Sequence, residues 1–213
     1  MGDSVPQVWT IGHSNHSYDS FRDLLCAAGI TAIADVRTAP FSRRFPQFNA
    51  DELRSSLQRD GIAYVPLGKQ LGGRPASPAL YRDNVADYEA IATTSEFRQG
   101  LGRVIDGARK HRIALMCSEQ NPLDCHRCLL IGRALSRRGV QVNHLLADGR
   151  AMPHPDVEQE LLRLTSRDEE DLLMSRDERV AAAYRERALK VAFQERSADS
   201  EQPISVMSDD VPL

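Results

Sequence analysis

Residues 113–139 read IALMC-SEQNPLD-CHRCLLIGRALSRRG, and this stretch decides the fold. Ile113 to Met116 is apolar without alternation, the pattern of a parallel strand covered on both faces. Asp124 to Arg138 places Leu129, Leu130, Ala134 and Leu135 at helical spacing, with Gly139 as the stop. Val140 to Leu146 then predicts a further strand. The same alternation continues toward the N-terminus. Tyr88 to Lys110 is mostly helical, with a restart at Ser95 and an apolar side at Phe97, Leu101, Val104, Ile105 and Ala108. Residues 68–80 (GKQLGGRPASPAL) are rich in Gly and Pro and predict a loop. Ile62 to Leu67 and Ile30 to Asp35 predict short strands. Between them Asn49 stands as N-cap of a helix that carries Leu53 and Leu57 and ends at Gly61, with Glu52 completing a capping box. Tyr18 to Ala28 predicts a helix and Val8 to Ile11 the first strand. On the helix, Cys26 falls on the apolar side and reads as buried.

The element order, β-α-β-α-β-loop-α-β-α-β, predicts an α/β fold: a three-layer, mostly parallel sheet with helices on both faces, over residues 6–150. Right-handed crossovers gather the strand-to-helix loops on one edge, where open α/β sheets bind ligands. Pro153 and Pro155 mark a change of pattern. Residues 151–196 predict a helical C-terminal extension of the same domain, with Leu172, Leu173, Val180 and Tyr184 among its apolar positions, and residues 197–213 a disordered tail.

With 213 residues, 41% hydrophobic and 27% charged, the composition excludes a disordered, collagenous or coiled-coil chain. Apolar runs fall far short of the roughly 20 residues of a membrane helix. The first residues, MGDSVPQVWTIGHS, lack the basic and apolar regions of a signal peptide. The expectation is a cytoplasmic protein with no membrane partner. The net charge of −3 alone argues against a nucleic-acid binder. That total is uneven: residues 1–150 carry 19 Lys+Arg against 15 Asp+Glu, and residues 151–213 carry 8 against 15.

Four cysteines in a reducing compartment do not predict a disulfide framework. Three of them, Cys117, Cys125 and Cys128, lie within twelve residues. The first strand ends in Gly12-His13-Ser14-Asn15, the second in Asp35-Val36-Arg37, with Arg43 and Arg44 following, and the Ile113 strand in Cys117-Ser118-Glu119. The next helix opens with Cys125-His126-Arg127-Cys128. On one sheet edge these residues would bring a thiol, a carboxylate, an imidazole and guanidinium groups into a single cleft. A thiol near a helix N-terminus and a cation has a lowered pKa and becomes nucleophilic. The same surroundings bind phosphate or carboxylate.

Each residue also has a structural reading. His13 can cap or pack, Asp35 and Arg37 can form an ion pair, Arg43 and Arg44 can be solvated charge, and Cys117 can be a small buried hydrophobe. A tyrosine-phosphatase loop would need arginine at position 123, which is Leu123. Cys125-His-Arg-Cys128 has dithiol spacing at a helix start, in a chain that is not otherwise thioredoxin-like. Cys117, Cys125 and His126, with Cys128 and His13 near them, also supply soft ligands for zinc or iron, although the seven residues between Cys117 and Cys125 are not a standard zinc-knuckle spacing.

Several motifs in order carry a family resemblance. They are Thr10-Ile-Gly-His13-Ser14, Asp35-Val-Arg37 with Pro40 and Ser42, Pro46-Gln-Phe-Asn49, Leu71-Gly-Gly-Arg74, Cys117-x-Glu119 with Cys125-His126-Arg127, and Ala183-Tyr184-Arg185 with Lys190-Val191-Ala192. Over roughly residues 8–193 the chain resembles the family designated domain of unknown function 488. The resemblance implies a small cytoplasmic α/β protein of bacteria or archaea whose activity is not established. Its marked positions match Cys117, Glu119, Cys125, His126 and Arg127 and leave out Cys128.

The sequence therefore points to an enzyme that uses the strand-end cleft on an anionic substrate, such as a nucleotide or a nucleic-acid end. Cys117 is the expected nucleophile or thiolate ligand and Glu119 its acid/base partner, with Cys125, His126 and His13 completing the reactive group. Ser14, Asp35, Arg37, Arg43, Arg44, Arg74 and Arg127 are the expected substrate-binding residues. The alternatives are a nucleic-acid-binding module without catalysis and a Cys/His metal-site protein holding zinc or iron through Cys117, Cys125 and His126. Neither the substrate nor the oligomeric state can be read from the residues.

Overall fold

The computed structural model describes residues 5–170 and 173–195. The elements run β1 (Gln7–Gly12), α1 (Tyr18–Ala27), β2 (Ala32–Asp35), α2 (Ala50–Arg59), β3 (Ala63–Pro66), α3 (Gly68–Leu71), β4 (Tyr81–Arg82), β5 (Val85–Ala86), α4 (Tyr88–Thr93), α5 (Ser95–Ala108) and β6 (Ile113–Cys117). A π-helical segment (Arg127–Gly132) continues into α6 (Arg133–Ser136), followed by β7 (Gln141–Leu145), β8 (Ala151–Pro153), α7 (His154–Leu164) and α8 (Arg176–Val191). The main sheet has the order β3-β2-β6-β1-β7-β8. All its pairings are parallel except β7 with β8. The expected α/β architecture is present. No helix among the described residues is long and apolar enough to cross a membrane.

Strand alternation sends side chains to the two faces of the sheet. Trp9, Ile11, Ile33, Ala114 and Met116 meet Phe21 and Leu25 of α1 and Leu53 and Leu57 of α2. Val8, Ala34, Ile113 and Leu115 meet Phe97, Leu101 and Val104 of α5, the π segment, Leu161 and Tyr184. Each large apolar side chain buried in this way contributes about 1.5–3 kcal/mol. The helix after β1 thus covers one face and the helix after the adjacent β6 covers the other. At such a switch point the strand ends leave a crevice.

Several elements differ from the sequence reading. Residues 151–153, assigned there to the extension, add β8 as an antiparallel edge strand. The loop over 68–80 contains α3, because Leu67 and Leu71 are buried and anchor a helical turn. Asn49 does precede α2 with extended backbone, but its Oδ1 accepts from Ser42 N–H (2.7 Å), so no capping box forms. Cys26 is exposed, since α1 turns Phe21 and Leu25, flanked by Tyr18 and Leu24, toward the core. Leu173 is also exposed. The helix expected from Asp124 begins two residues later. Pro122–Asp124 forms a 3₁₀ turn and Cys125 is extended, with φ −139° and ψ 140°. Residues 197–213, read as a disordered tail, lie outside the described residues.

The C-terminal helices are tied to the sheet by a buried polar chain. Thr10 Oγ1 lies 2.8 Å from His144 Nδ1, His144 Nε2 lies 2.9 Å from His154 Nδ1, and His154 Nε2 lies 3.0 Å from the Tyr184 hydroxyl. That hydroxyl donates to Glu158 at 3.1 Å. A carboxylate only accepts, and with both imidazoles neutral every direction follows: His154 Nε2–H donates to Tyr184, His144 Nε2–H to His154, and Thr10 O–H to His144. Burial holds His154 down at about 4, and burial with His154 and Arg127 holds His144 well below the usual range.

A histidine that stays neutral in the fold but charges freely when unfolded withdraws stability as pH falls from 6.5 toward 4. Unfolding by urea should therefore show His154 contributing about 2 kcal/mol less at pH 5 than at pH 8. His154→Gln should reduce the pH 8-to-5 difference by that amount, and an unchanged difference would remove the chain from the pH response.

Candidate active site

The edge formed by the C-terminal ends of β2, β6 and β1 holds the candidate site. Gly12 of β1 is opposite Cys117 of β6, and Asp35 of β2 is opposite Met116. The ladder extends past the strands: His13 N–H donates to Cys117 O and Ser14 N–H to Ser118 O, both at 2.9 Å. Cys117 thus lies at the centre of the edge, and Glu119 follows on a turn above it.

Three polar side chains converge on Cys117. Glu119 Oε2 is 3.0 Å from Cys117 Sγ and 3.1 Å from Cys125 Sγ. His126 Nδ1 is 3.6 Å from Cys117 Sγ and 3.8 Å from Cys125 Sγ. His126 Nε2–H donates to Val36 O at 3.0 Å, so Nδ1 turns its lone pair to the sulfurs. Cys125 ends the 3₁₀ turn, and His126 is the N-cap of the π segment. The Cys125 carbonyl accepts from Cys128 and Leu129 N–H, and its sulfur accepts from Arg127 N–H at 3.5 Å. These groups form the floor of a cavity of about 270 Å³ whose walls include Arg37, Arg74, Tyr88 and Phe193.

The electrostatics separate the two thiols. Burial opposes ionisation of Cys125, but the hydrogen bond with Cys117, the Arg127 guanidinium and His126 outweigh it and hold the thiol well below its usual range. The hydrogen bond to Cys125, then burial, push Cys117 well up. Burial and the Cys125 charge raise Glu119, and against the cost of burial the Cys125 charge raises His126. Cys128, fully buried three residues on, is pushed up by burial and faces away from the cavity floor.

The other expected site residues take several positions. Arg37 grips Asp35 through Nε to Oδ1 (2.9 Å) and Nη2 to Oδ2 (2.6 Å). Tyr64 also donates to Asp35, so that carboxylate is spent on structure. Arg37 Nη1 faces His13 Nε2 at 3.3 Å, and His13 donates from Nδ1 to Ser14 O at 2.9 Å. His13, stacked 4.2 Å over Phe48, is held neutral at about 4 by burial and Arg37. It lines a second cavity of about 620 Å³, along with Ser14, Arg44 and Arg74. Arg37, Arg74 and Glu119 border both cavities, which join as one cleft. Arg43 is exposed and lines neither. Arg127, expected to bind substrate, is 1% exposed and donates to the carbonyls of Glu119 (2.5 Å) and Gln120 (2.8 Å). It holds the turn from behind and does not face the cavity.

Two contributions are absent from the sequence reading. From the C-terminal extension, Val191 and Phe193 line the cavity, and Arg74 lies 4.5 Å over the Phe193 ring. The glycines of two quoted motifs serve close approach. A Cβ on Gly12 would stand 1.8 Å from Glu119 O, and one on Gly73 would stand 2.9 Å from the His126 ring. The signal for both was a glycine next to a polar motif residue.

Gly12→Ala should therefore destabilise the protein by about 1–3 kcal/mol, because Glu119 must move. Gly102→Ala, where a Cβ meets nothing within 4 Å inside α5, should stabilise it by roughly 0.5–1 kcal/mol. Denaturant melts that rank the two variants equally would refute the close packing at Gly12.

Comparison with curated proteins and with solved structures gives no match. A family model described as Domain of unknown function DUF488 matches residues 17–134, more than half of the chain, including Cys117, Glu119, Cys125, His126 and Arg127. With the motifs of the thiol cluster inside the matched region, this chain belongs to the DUF488 family.

Proposed function

We propose that the protein is an enzyme whose reaction takes place at the Cys117–Cys125–His126–Glu119 cluster, on an anionic substrate of nucleotide or nucleic-acid-end type held along the cleft. One observation carries this reading: two thiols share a single carboxylate oxygen at 3.0 and 3.1 Å on a cavity floor. Buried polar groups cost stability unless they are paired, and an apolar floor would serve the fold better. Burial and mutual charge move the proton affinities of all four groups away from their ordinary values, as in sites built for proton transfer or nucleophilic attack. Glu119 touches both sulfurs and is placed to move a proton at either.

The substrate class follows from the rim. Arg37 is committed to Asp35, which leaves Arg74 and Arg44 as the cations facing the joined cavities. Phe41 is 69% exposed at the same rim, and Arg44 lies 5.4 Å from the centre of the Phe45 ring. Exposed aromatic faces beside arginines suit a base stacked next to a phosphate.

The test is a panel of nucleoside phosphates and short single strands, read by thermal shift for binding and by mass spectrometry for turnover. Wild-type protein should bind and convert at least one member. Arg74→Ala and Arg44→Ala should each weaken binding about tenfold, with a shallower salt dependence. Cys125→Ser and Glu119→Gln should bind normally but lose at least 100-fold in turnover. Binding without any wild-type turnover would favour a nucleic-acid-binding module instead.

A further inference from the structure

We propose that the reacting cluster is a metal centre, in which Cys117, Cys125 and His126 bind one zinc ion and Glu119 supplies a displaceable fourth ligand. This rests on the reading of the cluster as the reactive site and names its chemical agent.

Four observations lead to it. First, Cys117 Sγ, Cys125 Sγ and the His126 ligand nitrogen lie within 4.8 Å of one another. Second, the spacing fits. Tetrahedral zinc with bonds of about 2.3 Å to sulfur and 2.0–2.1 Å to nitrogen separates those atoms by roughly 3.5 Å. The two sulfur-to-Nδ1 distances are 3.6 and 3.8 Å. Third, the second shell is in place. The His126 Nε2–H bond to Val36 O fixes the tautomer and aims Nδ1 at the sulfurs, as metal-bound imidazoles require. Gly73, packed on the ring, holds its orientation. Fourth, the donors line the cavity, so substrate or water can reach the fourth position and displace Glu119 from it, as in catalytic rather than structural zinc.

The donor set selects the ion. Two sulfurs and an imidazole are soft to borderline ligands, which favour zinc over magnesium or calcium. Binding converts both thiols to thiolates and releases their protons to solvent. Two thiolates neutralise Zn²⁺, and Glu119 adjoins the open position as ligand or base.

The ligand atoms of a second trio, Cys128, His144 and His154, also lie within 4.8 Å of one another. Its four imidazole nitrogens are all engaged with Thr10, Tyr184 and each other, so no ring lone pair is left for a metal. It therefore serves as an internal control.

The full-length reduced protein, stripped with chelator and dialysed, should be titrated with Zn²⁺ against a chromophoric chelator and with Co²⁺ as a spectroscopic probe. The expected result is one equivalent of zinc, with a thiolate-to-cobalt charge-transfer band and the intense visible bands of tetrahedral cobalt. Cys125→Ser and His126→Gln should weaken zinc by at least 100-fold, and Cys128→Ser should leave it unchanged. If those two variants fail to show a folded circular-dichroism spectrum, Glu119→Gln replaces them. It should keep the charge-transfer band and shift the visible bands. A missing charge-transfer band, or zinc affinity lost in Cys128→Ser but kept in Cys125→Ser, would overturn the proposal. Turnover by metal-free protein would overturn it too, while leaving the enzyme reading intact. Zinc binding with no anionic ligand bound would support the metal centre and fail the substrate reading.

Discussion

The buried guanidinium of Arg127 holds the turn on which the site is built. It donates to the carbonyls of Glu119 and Gln120, and Glu119 O presses against Gly12 of the neighbouring strand. These contacts come from β1, from the turn after β6 and from the π segment. The turn therefore has little freedom, and Glu119 Oε2 is left facing both sulfurs. Hydrogen bonds from a charged donor to buried carbonyls are among the stronger polar contacts in a protein. Arg127 contributes to the site through position, not through contact with the cavity.

The crevice follows from topology. Because β6 lies between β2 and β1, its terminal cysteine is flanked by Val36, which orients His126, and by His13, which meets Arg37. The π segment after β6 departs to one face while α1 and α2 cover the other. The third wall comes from the C-terminal helices. They are held to the sheet by the Thr10–His144–His154–Tyr184 chain, and they place Phe193 beside Arg74. The site thus draws on both the first and the last elements of the chain, although the family match covers only residues 17–134.

The net charge of −3 says little about this cleft. Cations at its rim are Arg74 and Arg44, and the expected contributions of Arg127 and Arg37 are absorbed by carbonyls and by Asp35. The region from residue 151 onward, with 15 Asp+Glu against 8 Lys+Arg, gives the chain its net negative charge, yet what it offers the cleft is an aromatic ring and an apolar side chain.

The sequence by itself determined the alternating fold and the residue types of the site. Apolar runs such as Ile113–Met116 need two covered faces, and a parallel sheet brings the polar residues after each run to one edge. What it left open depends on contacts between distant segments. The Cys125 thiol is held low by its hydrogen bond with Cys117, by the Arg127 guanidinium and by His126, neighbours that only the folded chain brings together. Arg127 carries the same charge in either role, and only its burial behind Glu119 makes it a strut. Asn49 could cap α2 until Ser42 claimed its oxygen. The start of the helix at His126 and the edge strand at 151–153 likewise follow from neighbours that local pattern does not name. Tertiary structure decided these points because a polar side chain takes the partner that burial leaves within reach, and that partner is rarely close in sequence.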